Sequence, residues 1–219
     1  MLVSALTQDV SDTALKQVYA LSKRTGIPGH YIIEVWNSEN GFRPTNSNFG
    51  GIRYFGPAAA MASVVPVPPD VFQSYTLEQR IPNFEPLLRS QMATNCGRVP
   101  DRPEVLYSIN FVPSRMRAAG PNPPGSTIIV DRGGQFWDDN PVFQPYADPA
   151  GISVNTMGRV LAQKRSTDFR LAELLSRYTR LTGETYPIPG SFLGWVATAA
   201  MWGAGTAAAA YLLLLAKKL

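Results

Sequence analysis

The feature that most constrains this chain is an uncharged stretch from Pro189 to Ala216, rich in Ala, Leu and Gly and closed by Lys217 and Lys218. About 20 predominantly apolar residues are enough to span a bilayer as a helix. The stretch therefore predicts a single-pass transmembrane anchor over 189–219 and not another layer of a globular core. Trp195 and Tyr211 are 16 residues apart, ~24 Å along a helix at ~1.5 Å per residue, which puts one aromatic ring near each face of the hydrocarbon layer. Ala199/Gly203 and Gly205/Ala209 have the small-xxx-small spacing that lets helices approach each other in lipid, a route to a homo-oligomer.

The residues before this stretch suffice for one domain of ordinary size. Nineteen prolines and 18 glycines are more than a compact helical bundle would use, so much of the middle is expected to be loop. Lys and Arg outnumber Asp and Glu 20 to 16, a formal charge of +4, which favours polyanionic surroundings such as cell-wall polymer, anionic lipid or nucleic acid. Cys96 and His30 are the only residues of their types. They allow no intramolecular disulfide, no Cys/His catalytic pair and no zinc set, so neither a metal centre nor a cofactor is expected. The opening MLVSALTQDVSD has neither the basic start nor the apolar run of a secretory signal.

Leu15, Val18, Tyr19 and Leu21 recur at helical spacing between the capping residues Ser11 and Asp12 and the stop at Gly26, which predicts a first amphipathic helix. Pro28 suits the first turn of a second helix, HYIIEVWNSEN, which ends at Gly41. Prolines at 57, 66, 68 and 69 break the following segment into loops with room for a short hairpin. Pro82 and Pro86 limit 76–92 to short helical pieces. A strand is expected near 126–130 within an otherwise unpatterned Pro/Gly-rich stretch. From Val154 to Arg180 a helical pattern returns with six basic residues, Arg159, Lys164, Arg165, Arg170, Arg177 and Arg180, and reads as a basic stem leading into the membrane.

The segment KQVYALSKRTGIPGHYIIEVWNSENGFRP resembles the opening of the lysozyme-like murein hydrolases, the lytic transglycosylases and related N-acetylglucosaminidases. In these a helix, a Gly-Ile-Pro turn and a second helix lead to a catalytic Glu followed by Ser or Asn, a small residue and an aromatic. Glu39-Asn40-Gly41-Phe42-Arg43-Pro44 is similar to that motif position by position. Asn48-Phe49-Gly50-Gly51-Ile52-Arg53 and the stretch from Phe72 through Tyr75 to Glu78 are similar to later glucosaminidase segments, so the likeness covers about residues 13–92. The Gly-Leu-Met-Gln stretch of the transglycosylases is absent. The resemblance implies peptidoglycan as substrate, Glu39 as the catalytic acid, and Phe42, Asn48, Tyr54 and Tyr75 on the sugar. Asp70, the only acid between Arg53 and Phe72, stands where a second carboxylate would be, although its proline neighbours favour a turn.

Elementary electrostatics also selects Glu39. A carboxylate in the last turn of a helix faces the negative end of the macrodipole, which disfavours its charged form by ~0.3–1 kcal/mol. Partial burial raises its pKa further, toward a group that stays protonated and can donate to a glycosidic oxygen. Glu34, five residues earlier on another face, reads as structural or salt-bridged.

The expectation is thus a mainly α protein with three parts. A lysozyme-like catalytic domain with an irregular extension covers 1–150, a basic helical stem 151–188 and a transmembrane anchor 189–219. A wall-cleaving enzyme without an export signal suits delivery in a membrane-containing phage particle, alongside other virion proteins. The rival is a non-catalytic membrane-bound structural or glycan-binding virion protein on the same scaffold. Nucleic-acid binding by the basic stem is a further and less favoured reading.

Overall fold

The computed structural model describes residues 5–49 and 51–186. The chain divides into two units, Met1–Glu184 and Thr185–Leu219, and of the second only residues 185 and 186 are described, without regular secondary structure. The expected anchor over 189–219 lies outside the described residues. Among the described residues no helix is long and apolar enough to cross a membrane.

The first unit is mostly helical, as expected. Helix α1 (Asp12–Thr25) starts where the Ser11 side chain accepts from the Ala14 N–H and stops where Gly26 turns left-handed at φ 75°. A cap of this kind is worth ~0.5–2 kcal/mol. Helix α2 (Gly29–Asn40) likewise ends on a left-handed Gly41, φ 72°. Phe42 follows at φ 58°, a conformation that bulky side chains avoid. Two successive left-handed residues reverse the chain so that the Phe42 ring enters the core, 6.0 Å from Trp36, whose indole meets Phe84 edge-on at 5.3 Å.

Three short antiparallel strands follow, β1 (Asn46–Phe49), β2 (Ile52–Phe55) and β3 (Ala60–Met61), in the order β1-β2-β3. Short helices α3 (Pro69–Phe72), α4 (Leu77–Arg80) and α5 (Glu85–Thr94) come next, the second kept to a single turn by Pro82 just beyond it. Arg80 anchors the hairpin from beneath. It is 1% exposed and donates to the carbonyls of Thr45, Gly56, Gln73 and Tyr75 at 2.8–3.2 Å. Four carbonyl dipoles, with the rings of Phe55 and Phe72 beside the guanidinium, satisfy a buried charge that would otherwise be costly.

The stretch that sequence periodicity left unpatterned contains α6 (Pro103–Phe111), α7 (Pro113–Ala119), strand β4 (Ile128–Asp131), the single-turn α8 (Gln135–Asp138) and strand β5 (Gly151–Ser153), which pairs antiparallel with β4. Proline occupies the first turn of both α6 and α7, where its missing N–H costs nothing.

The basic stem is corrected by the structure. Residues 151–184 belong to the first unit: α9 (Val154–Thr167) lies against α6, and α10 (Phe169–Thr182) against α1 and α2. Its cations turn inward because the body offers acceptors there. Arg165 pairs with Glu34 at 2.9 Å, as expected for that acid, and Arg159 with Asp148 at 2.8 Å. Arg170 grips both oxygens of Asp9 and donates to the Gly41 carbonyl. Arg177, 5% exposed, donates to the Thr7 and Val10 carbonyls and to Asp12. These side chains are committed to the fold and do not form a solvated strip facing lipid or nucleic acid.

Candidate active site

Glu39 sits in the last turn of α2, and the far end of the sequence holds that turn in place. Lys164 of α9 donates to the Ser38 carbonyl at 2.8 Å, the Asn37 amide donates to Asp168 at 2.8 Å, and Arg170 holds the Gly41 carbonyl at 2.9 Å. Cations at a helix C-terminus satisfy carbonyls that the helix itself leaves without partners. The turn carrying Glu39 is therefore tied by hydrogen bonds to α9, to Asp168 and to α10.

Glu39 is half-buried, and its Oε1 accepts from the Asn110 amide of α6 at 2.9 Å. Burial of the carboxyl pushes its pKa up, opposed by the Asn110 hydrogen bond and by the positive charge of Lys164. Burial in turn pulls Lys164 down, against the attraction of Glu39 and Asp168. Tyr107, 5% exposed on the same helix as Asn110, has its phenol held firmly neutral by burial and by the charge of Glu39. The group holding Glu39 is thus a neutral amide, so the carboxyl is oriented without the full ionising pull of a salt bridge.

The amide is itself held. Gln91 of α5, 5% exposed, donates to Asn110 Oδ1 at 2.9 Å, which leaves the Asn110 NH2 group facing Glu39. Gln91 Oε1 is buried and has no hydrogen-bond partner.

The hairpin comes close to this turn at Gly56. A Cβ at that position would lie 2.3 Å from Asn40 Nδ2 and 2.3 Å from the Arg43 carbonyl, so only glycine allows the approach. Asn48 lies exposed on β1 opposite Arg53, and Tyr54 is half-buried on β2 between Ser47 and Met61. Tyr75 is half-buried against Phe72, ring centroids 5.4 Å apart.

One expectation needs correction, and the reading of Asp70 as a turn residue holds. Phe42 is 0% exposed and cannot meet a polysaccharide, because its left-handed turn spends the ring on the core. Asp70 is not built into a site: it is exposed in the first turn of α3 and ion-paired with Arg53 at 2.5 Å. The groups set around the Glu39 carboxylate are Asn110, Tyr107 and Lys164, all beyond the 13–92 segment that carried the resemblance.

Sequence reasoning missed Asn110, Tyr107 and Gln91 and took Lys164 for a stem residue. The signal for α6 was present, with Pro103 as a first-turn residue ahead of Val105, Leu106 and Ile109 at helical spacing. Among the described residues no group of three or more His, Cys, Asp or Glu side chains is placed to hold a metal ion. No protein-family model matches the chain, and neither the curated proteins nor the solved structures give a match.

Proposed function

We propose that this protein is an enzyme that cleaves the glycan strand of peptidoglycan, with Glu39 as its general acid on a lysozyme-like arrangement. The observation carrying this reading is the state of Glu39: a half-buried carboxyl in a helix C-terminal turn, pKa raised by burial, oriented by the neutral Asn110 amide. Such a group keeps its proton closer to neutrality than a solvated glutamate and can hand it to the oxygen between two sugars. Bond breaking then leaves an oxocarbenium-like centre, which either a water or the sugar's own 6-hydroxyl can capture.

The second route needs no further carboxylate, and the engagement of Asp70 with Arg53 supports it. Its product is a 1,6-anhydromuramoyl end. Digestion of purified peptidoglycan followed by mass spectrometry tests both parts of the proposal. Wild-type protein releases anhydro-ended fragments, and folded Glu39→Gln protein, isosteric but with no proton to give, releases them about 10²–10⁴ times more slowly. Clearing by that variant at the wild-type rate would remove Glu39 from the mechanism.

We further propose that the apolar residues from Pro189 onward hold the enzyme to a lipid membrane. The first unit ends at Glu184, so a chain stopped at Tyr186 should still digest peptidoglycan and should no longer float with phospholipid vesicles. Flotation of the shortened chain, or water solubility of the full one without detergent, would end the anchor assignment.

A further inference from the structure

A concave feature lies beyond Asn110. Residues Phe111 and Val112 lead from the Glu39 contact to a groove of about 360 Å3 between the start of α7, strand β4 and the α8 turn. Its lining includes the apolar pair Ile129 and Val130 and the aromatic pair Phe136 and Trp137. Phe136 is 46% exposed although its ring lies 5.2 Å from Phe111, and Trp137 has the Arg132 guanidinium 5.1 Å from its centroid. At the rim Arg115 and Asp131 meet at 3.0 Å, with most of each side chain still accessible.

This lining selects a chemistry. Arg115 and Asp131 pair with each other and Arg132 lies over the Trp137 ring, so a cationic ligand meets two guanidinium groups and an anionic one has to displace Asp131 from Arg115. A purely aliphatic ligand would strip water from the pair and from Gln135 with nothing in return. A pyranose fits both halves of the site. Its C–H face lies on an aromatic ring, while its hydroxyls accept from the guanidinium and the Gln135 amide and donate to the carboxylate. We infer that the groove bounded by Phe136, Trp137, Arg115 and Asp131 is a saccharide-binding site that holds a segment of glycan away from the bond cleaved at Glu39. Its choice of polymer rests on the peptidoglycan reading, but the site itself does not.

Full-length Glu39→Gln protein, which binds without cutting, should be titrated calorimetrically with N-acetylglucosamine hexamer and with peptide-free glycan strands. Trp137→Ala in that background should weaken binding about tenfold, the size of one lost aromatic contact, and Asp131→Asn should weaken it by less. Phe136→Ala, at a more exposed position, serves if the tryptophan variant does not fold. Unchanged affinity in the folded groove variants overturns the site, even if wild-type protein still cleaves peptidoglycan. Groove-dependent binding by a wild-type protein that cleaves nothing upholds the site while the catalytic reading fails. Dimerisation abolished by the same substitutions, with no saccharide bound, would assign the face to a second copy and overturn the proposal.

Discussion

Helix α2 carries two acids in opposite circumstances. In its middle, Glu34 is fully buried and bonded through both oxygens to Arg165 at 2.9 and 3.1 Å. In its last turn, Glu39 is half-buried and held by a neutral amide, while the nearest cation, Lys164, spends a hydrogen bond on a backbone carbonyl. The same residue type on one helix thus stands as a charge-paired anion in one place and as an amide-held carboxyl of raised pKa in the other. What separates them is whether the partner brings a full charge.

The largest effects expected follow that division. Glu39→Gln should lower the rate of glycan cleavage by about 10²–10⁴, the usual worth of a general acid, yet not destabilise the protein. A carboxyl whose folded pKa is raised lends its stability at low pH and loses it as pH rises through the folded value. The amide should therefore melt above wild type at neutral pH, with the gap closing on acidification. Glu34→Gln should do the opposite, because it leaves Arg165 without its buried counter-ion. Breaking a buried pair costs about 3–5 kcal/mol, and since the Arg165 side chain is 36% accessible the lower end applies. At ~2–4 °C per kcal/mol for a domain of this size, calorimetry should find melting ~6–12 °C lower. Equal stability losses for the two variants would erase the distinction.

A subtler test alters the amide without touching the acid. Asn110→Leu removes a hydrogen bond that favours the ionised form, so the Glu39 pKa should climb further. Activity that requires the protonated acid falls as pH rises through that pKa, so the alkaline limb of the rate profile should move to higher pH. Hydrogen bonds to charged groups are worth ~1.5–3 kcal/mol, which puts the displacement at about one to two pH units. Gln91→Leu, acting only by freeing Asn110 to turn, should move the limb the same way and less far. A lower rate with an unmoved limb would make both amides merely structural.

How much of this was legible depended on the range of the interaction. Ser11, Gly26, Pro28 and Gly41 announce their helix ends locally, and both helices stop where those residues require. The place of Glu39 in the last turn of α2 was legible for the same reason, since the helix and its glycine stop are contiguous. The partners that decide its chemistry are not, because Asn110 is 71 residues away. The cations of α9 and α10 looked like a solvated face because their partners, Asp9, Asp12, Glu34 and the Ser38 and Gly41 carbonyls, appear only once the chain has folded back. Phe42 misled in the other direction, since its motif position says nothing about the left-handed turn that buries it.

The smallest effect expected belongs to the acid that would complete a hydrolase. Asp70 and Arg53 form a 2.5 Å ion pair with side chains 79% and 49% exposed, and pairs so open to solvent contribute ~0–1 kcal/mol. Asp70→Asn should therefore leave melting almost unchanged. If capture of the oxocarbenium centre falls to the substrate's own hydroxyl, cleavage should also stay within about twofold of wild type, since no carboxylate has to activate water. The two readouts separate the alternatives. A variant that melts normally but loses activity and leaves reducing muramic acid ends would place Asp70 in the reaction and make the enzyme a hydrolase. Helix α3 would then have to bring that residue toward Glu39 when glycan binds, breaking the pair with Arg53 of the hairpin as it moved, and Arg53→Ala should raise the rate instead of leaving it unchanged.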